Sequence, residues 1–171
     1  MDANLRSEIE FLNDRFSWDT SGQKRDAFSS LDADLKSGMM VLVAGLRRTG
    51  KTYLVQQVLS KTEKPFYFSF DKLAFQKPAV LEEVIRYALS QGFGAIALDE
   101  VQKVPQWSGI LKGYYDHAKP RPRFLLSGSS SIQLKKGTES LAGRVLEQTL
   151  QPLSDSEYLR FAGVDAKFRK D

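Results

Sequence analysis

The sequence predicts an α/β fold: a mainly parallel sheet whose strands are joined by helices, preceded by N-terminal helices. Three observations carry this. Short apolar runs alternate along the chain with stretches of helical apolar spacing. The run 39–44 passes straight into a glycine-bearing loop, Gly45-Leu46-Arg47-Arg48-Thr49-Gly50-Lys51-Thr52, and from there into helical spacing over 52–59. Gly45, Asp99, Glu100 and Ser127 all fall at the carboxyl ends of predicted strands, the edge at which parallel sheets take ligands.

Taken in order, residues 1–37 form an N-terminal helical arm. Leu5, Ile9, Phe11, Leu12 and Phe16 are spaced for an amphipathic helix, and residues 17–22 are turn formers that end it. A second helix is expected over 23–35, with Phe28 and Leu31 facing the core and Ser37-Gly38 closing it. The arm suits three roles: covering a sheet edge, helping to hold a base, or meeting a partner.

The core is expected over 38–164. Its first strand is 39–44, and the loop helix ends near 60–64. The aromatic run 65–71 reads as a second strand. Pro78 opens a helix through Ser90, with Val80, Leu81, Val84, Ile85, Ala88 and Leu89 as its apolar stripe. Residues 95–100 read as a buried strand ending in two carboxylates. A helix over 107–118 has Trp107, Ile110, Leu111 and Tyr114 on one side, and Pro120-Arg121-Pro122 breaks it. A fourth strand covers 123–128, followed by a short helical turn over 129–134 and an exposed polar loop over 135–140. A fifth strand covers 145–150. Ser154-Asp155-Ser156-Glu157 signals the start of a last helix, and residues 165–171 read as a frayed tail.

Composition narrows the chemistry. The chain has 171 residues and 42% apolar content, enough for one domain with a real core. It has no cysteine, which excludes disulfides, thiol nucleophiles and cysteine metal sites, and its single histidine, His117, makes a zinc site a poor reading. The N-terminus is polar, and no run reaches membrane-span length. These features fit a cytoplasmic protein with no membrane partner. The net charge of +4 is that of an ordinary surface; it permits nucleic-acid binding without indicating it.

The loop at 45–52 matches the phosphate-binding pattern G-x-x-x-x-G-K-[ST] at every fixed position. Its glycines let the backbone turn and approach an anion, its N–H groups form a nest, and the following helix adds its positive end. Lys51 is placed for β- and γ-phosphates, and the Thr52 hydroxyl for Mg²⁺. Gly45, Leu46, Arg47, Arg48, Thr49, Gly50, Lys51, Thr52 and Tyr53 are the expected nucleotide contacts. Asp99 is the expected second magnesium residue, and Glu100, one residue on, the expected base for an attacking water. No Asn-Lys-x-Asp segment for reading guanine is present, and a metabolite kinase has no need of a water-directed glutamate. ATP hydrolysis is therefore favoured.

Gly-Leu-Arg-Arg-Thr-Gly-Lys-Thr, Leu-Asp-Glu-Val-Gln-Lys-Val-Pro-Gln-Trp, Leu-Leu-Ser-Gly-Ser-Ser-Ser, Leu-Ala-Gly-Arg-Val-Leu and Leu-Gln-Pro-Leu-Ser-Asp-Ser-Glu-Tyr-Leu follow one another in that order. Together, over about 39–162, they resemble a prokaryotic family of AAA-type P-loop ATPases. The resemblance implies a three-layer αβα P-loop NTPase sandwich, with a five-stranded sheet and the phosphate-loop strand in its middle. It implies ATP with Mg²⁺, and Lys51, Thr52, Asp99 and Glu100 in the roles above. Ser127 stands where the family usually has threonine and keeps a hydroxyl able to sense the γ-phosphate; Ser129 is the competing candidate. Arg144, in Leu-Ala-Gly-Arg, looks like the family's arginine near the last strand. It suits phosphate stabilisation in cis or across a subunit interface, or a structural ion pair. Family members continue into a helical lid and further domains, for which this chain leaves no room; a fragment or a minimal relative is expected, with fewer adenine contacts and reduced turnover.

The smaller features weigh less. Arg47 and Arg48 suit the solvated exterior of the loop better than a neighbouring subunit or a second phosphate. Gln102 is placed to position water or to cap its loop. Trp107 suits a helix anchor better than a base platform, His117 has no catalytic assignment, and Lys135 and Lys136 suit a solvated loop better than nucleic acid. The reading is thus an ATP-hydrolysing domain that couples its nucleotide state to a partner or downstream domain, with homo-oligomers open. The alternatives are an ATP/ADP switch with little turnover, or a nucleic-acid-associated protein with an auxiliary ATP site.

Overall fold

A computed structural model describes residues 1–15, 22–129, 134 and 137–164. The elements are α1 (Ala3–Arg15), α2 (Phe28–Lys36), β1 (Met40–Ala44), α3 (Lys51–Leu59), β2 (Pro65–Ser69), α4 (Pro78–Ser90), β3 (Ala95–Asp99), α5 (Trp107–His117), β4 (Phe124–Gly128), β5 (Val145–Thr149) and α6 (Asp155–Phe161). The strands form one parallel sheet in the order β2-β3-β4-β1-β5. β4 holds the middle, so the phosphate-loop strand is internal but one place from the edge, a correction to the expected central position.

Three layers follow from strand periodicity. Successive side chains of a strand point to opposite faces, so each apolar run feeds two cores. Met40, Leu42, Phe66, Phe68, Ile96, Leu98, Phe124 and Leu126 pack on one face against α4 and α5. Val41, Val43, Tyr67, Ala95, Ala97 and Leu125 pack on the other against α2 and α3. A sheet covered on both faces needs continuous apolar strands, which is why the sequence runs looked uninterrupted rather than alternating. β5 is the exception: at the edge of the sheet, its residues are half-buried or exposed.

The N-terminal arm packs into both cores. Leu5 and Ile9 of α1 join the α4–α5 side, and Phe28, Leu31 and Leu35 of α2 the other. Helix α1 lies along edge strand β2, where the Asn13 amide donates to Tyr67 O at 3.0 Å and accepts from Tyr67 N at 2.9 Å. One side chain thus imitates a neighbouring strand and blunts the edge. Phe11, expected inward, is 46% exposed; it sits on the face of α1 turned from the sheet. Helix α2 starts at Phe28, five residues later than expected, because a turn occupies 26–27. In α5, Tyr115 is buried beside Leu111, a core position the spacing argument omitted.

The stretch expected as an exposed polar loop is only partly so. Thr138 is buried, a short helical turn spans Glu139–Leu141, and Gly137 lies so close to the Trp107 ring that a Cβ would collide with it. Trp107 is accordingly an anchor. Phe16, the turn formers at 17–21, Lys135, Lys136, the expected turn from 130 to 133 and the tail 165–171 lie outside the described residues. Among the described residues, no helix is long and apolar enough to cross a membrane.

Candidate functional site

The site grows from the carboxyl end of β1. At Gly45 the loop passes close to the chain leaving β5: Leu150 N donates to Ala44 O at 2.7 Å, and a Cβ on Gly45 would stand 2.5 Å from the Leu150 carbonyl oxygen. Only glycine fits that approach. The loop closes at Gly50, whose φ of 88° starts α3 from a left-handed residue. No side chain caps α3 and no acid lies in its first turn, so its leading N–H groups and positive end face the loop.

Lys51, 7% exposed, folds back across the loop and donates to Gly45 O at 3.0 Å and Leu46 O at 2.7 Å. Burial pushes its pKa down, while Glu100 and Asp99 nearby pull it back up. Thr49 Oγ1 ties to Leu46 O at 2.9 Å. Thr52 is exposed at the mouth of the loop.

The acidic half comes from β3 and β4, which pair in parallel with Asp99 beside Ser127. Ser127 Oγ donates to Asp99 Oδ1 at 2.6 Å, the Tyr67 hydroxyl donates to Oδ2 at 3.0 Å, and Glu100 N donates to Oδ1 at 3.1 Å. Burial nonetheless pushes the Asp99 carboxyl pKa up, the two hydroxyls opposing it, and the same burial together with Asp99 pushes the Tyr67 phenol up. Glu100 breaks the strand with φ 53°, an uncommon conformation for a residue other than glycine and one that concentrates at functional sites. Its Oε2 accepts from Gln102 at 2.6 Å and from Ser129 at 3.0 Å. Gln102 and Ser129 together thus hold Glu100.

These parts, distant in sequence, line one cavity of about 310 Å³: Arg47, Arg48, Gly50, Lys51, Thr52, Asp99, Glu100 and Ser129. Arg47 and Arg48 are exposed, as a solvated exterior requires, yet they also wall the cavity. A second cavity of about 470 Å³ adjoins the loop, lined mainly by Leu46, Tyr53, Pro152, Leu153 and Phe161 with Arg25 and Thr49 behind. A groove of about 900 Å³ between α4 and α5 reaches His117 but gathers no comparable set of polar groups.

Arg144 is not brought to the loop. It precedes β5, and its carbonyl accepts from Met40 N at 2.9 Å, so it stands at the amino edge of the sheet, a full strand from the loop (roughly 16 Å at 3.3 Å per residue). Its guanidinium forks onto Asp116 at 2.8 and 3.1 Å. A cis role at the phosphates is corrected to an ion pair between the start of β5 and the end of α5.

The donor set suits a hard cation. Thr52 and Asp99 offer oxygen, and among the described residues no group of three or more His, Cys, Asp or Glu converges. Mg²⁺ takes few protein ligands and completes its shell with phosphate and water, so these residues fit a cation that arrives with a nucleotide.

Sequence reasoning missed Tyr67 and the pair Arg25–Glu157. Arg25 carried no local signal, and Glu157 read only as a helix-start residue.

A strand, a glycine loop closing onto an uncapped helix, and a carboxylate pair at the end of β3, two strands away, define a phosphate-loop nucleotide-binding protein. Residues 37–159 match the AAA domain model, and the chain belongs to that family. It is 31% identical over 134 residues to the uncharacterized protein MJ1544 of Methanocaldococcus jannaschii, covering 75% of this chain and 30% of that one. It is 32% identical over 124 residues to the uncharacterized protein Rv2008c of Mycobacterium tuberculosis, covering 72% and 27%. The chain thus spans less than a third of the length of these relatives. Two solved structures share its fold, each with a TM-score of 0.61. One, from work on katanin self-assembly, is 17% identical and overlaps 88% of this chain and 60% of its own. The other, the Aeropyrum pernix ORC1 protein in complex with DNA, is 18% identical and overlaps 91% and 52%. Family and fold together support an ATP-binding function of the AAA type.

Proposed function

We propose that this chain binds ATP with Mg²⁺, hydrolyses it, and couples its nucleotide state to a partner or a further domain. The observation that carries the reading is the single cavity shared by Lys51, Thr52, Asp99, Glu100 and Ser129. Loop N–H groups and Lys51 would hold the β- and γ-phosphates, and the apolar cavity beside Tyr53 suits a planar base. Thr52 and Asp99 would hold Mg²⁺, which when bound neutralises charge on the phosphate oxygens. Glu100 would orient a water for in-line attack on the γ-phosphorus and take its proton as the bond to the β-γ bridging oxygen breaks, leaving ADP and phosphate. Of the two candidate sensors, Ser129 faces the cavity and holds Glu100, whereas the Ser127 hydroxyl is committed to Asp99. A phosphate role for Arg144 requires a second copy of the chain, and self-assembly, named for katanin, is the setting for it. The working division is an arm over 1–37 and a nucleotide core over 38–164, in a reducing cytoplasm.

One observation favours a second reading, an ATP/ADP switch with little turnover: Glu100 Oε2 is already held by two donors, which must yield before that oxygen can receive a proton. DNA binding, as in the ORC1 complex, is the lesser alternative and predicts salt-dependent association with DNA.

The test is binding of Mg-ATP and release of phosphate by wild type, Lys51→Ala and Glu100→Gln. The reading expects Lys51→Ala to lose binding, and Glu100→Gln to bind while turnover falls on the order of 10²- to 10⁴-fold. Tight binding by wild type without release supports the switch. Absence of binding by wild type refutes both.

A further inference from the structure

Arg25 is 6% exposed, and its guanidinium makes four hydrogen bonds to three residues. Nε and Nη2 fork onto Glu157 at 2.7 and 3.2 Å, Nη2 also donates to Gln151 O at 2.8 Å, and Nη1 donates to Thr49 O at 2.6 Å. The last contact lies inside the phosphate loop. In a trans peptide the C=O and N–H point in opposite directions. Pinning the Thr49 carbonyl to Arg25 therefore turns the Gly50 N–H away from Arg25. Arg25 and Thr49 back the apolar cavity, whereas Gly50 also lines the phosphate cavity. The Arg25 contact thus aims a backbone donor at the place where an anion would sit.

Glu157 in turn is held from three directions. It takes the Arg25 fork, accepts Asp26 N at 2.9 Å, and closes the capping box of α6, accepting Ser154 N at 3.0 Å while its own N–H donates to Ser154 Oγ at 3.2 Å. Its carboxyl pKa is held down to about 2, chiefly by the Arg25 hydrogen bond, so it stays ionised at any physiological pH. A carboxylate at the start of α6 is therefore wired, through one buried guanidinium, to a peptide plane of the loop.

We propose that the Arg25–Glu157 pair is a positioning device: Arg25 sets the Thr49–Gly50 peptide for phosphate binding, and Glu157 makes that setting depend on the place of α6. The proposal rests on the reading that the loop takes phosphate. It names a route by which a partner or domain that moves α6 weakens nucleotide binding, and by linkage a route by which nucleotide holds α6 in place.

The experiment measures dissociation constants for Mg-ATP and for magnesium pyrophosphate, a probe with no base. The proteins are wild type, Glu157→Gln, Arg25→Lys and the double variant, at a temperature where circular dichroism shows each folded. The expected result is about tenfold weaker binding of both ligands by each single variant, with the double no worse than the weaker single, as for residues acting as a unit. Folded variants that bind both ligands within twofold of wild type, with only the melting temperature lowered, would overturn the proposal and leave the pair a structural tie. If Glu157→Gln does not fold, Arg25→Lys decides, because it keeps a charge opposite Glu157 but loses the Nη1 donor that reaches Thr49 O. If wild type itself binds neither ligand and matches Lys51→Ala, the phosphate reading fails first and the positioning claim falls with it.

Discussion

Replacing Glu157 with glutamine should change stability in a way that depends on pH. In the folded chain this carboxyl is 4% exposed and its pKa is lowered from 4.5 to about 2 by the Arg25 guanidinium and by the N–H groups of Asp26 and Ser154. A drop of that size is worth about 3 kcal/mol at roughly 1.4 kcal/mol per pH unit. The folded pKa is depressed, so the stabilisation is present above 4.5 and is lost as pH falls through about 2. Removing one partner of a buried ion pair costs a similar 3–5 kcal/mol or so, since the other is left without its countercharge. The glutamine keeps one acceptor oxygen toward Arg25 but neither the charge nor the fork, which places the expected loss near the lower figure. Urea unfolding of wild type and Glu157→Gln, followed by circular dichroism from pH 7 downward, measures the difference directly, and the other carboxylates titrate in both proteins and cancel. The difference should be about 3 kcal/mol at pH 7 and 5 and shrink steadily below 4.5. A difference that is flat down to pH 3, or below about 1 kcal/mol at pH 7, would refute the reasoning, because it would give Glu157 no more than a surface pair is worth.

Two further outcomes follow from single contacts. Ser127→Ala removes the hydroxyl that donates to Asp99 Oδ1 at 2.6 Å and favours its charged form. Burial then acts on Asp99 with less opposition, so the acid-side loss of Mg-ATP binding should move to higher pH; superimposable profiles would contradict the role given to Asp99. Asn13→Ala strips the partners from both backbone groups of Tyr67 on edge strand β2 and should cost about 1–3 kcal/mol in urea unfolding, with a loss under about 0.5 kcal/mol showing that water replaces the amide.

Much of this molecule was legible in the chain alone. The loop at 45–52, the apolar strands, the helix over 78–90 and the start of α6 at Ser154 are local patterns: a period, a cap or a fixed spacing of residues that act within a few positions of one another. Uninterrupted apolar runs implied buried strands, and the strand ends implied the ligand edge, so Lys51, Thr52, Asp99 and Glu100 stood out from the sequence as candidates. Tertiary structure alone decided how those patterns meet. The phosphate-loop strand sits beside the edge strand, not in the middle, because the crossover after β4 carries the chain past β1 to β5. Arg144, similar in motif to a phosphate-binding arginine, stands a strand length away, because it precedes its strand while the loop follows one. Arg25 and Glu157 are 132 positions apart and meet because α6 packs back over the loop. Tyr67 reaches Asp99 through the register of β2 on β3, and Asn13 covers an edge through the packing of α1 on the sheet. A sequence encodes such contacts only through the whole packing arrangement, since a side chain that bonds a distant carbonyl leaves no period and no spacing behind it.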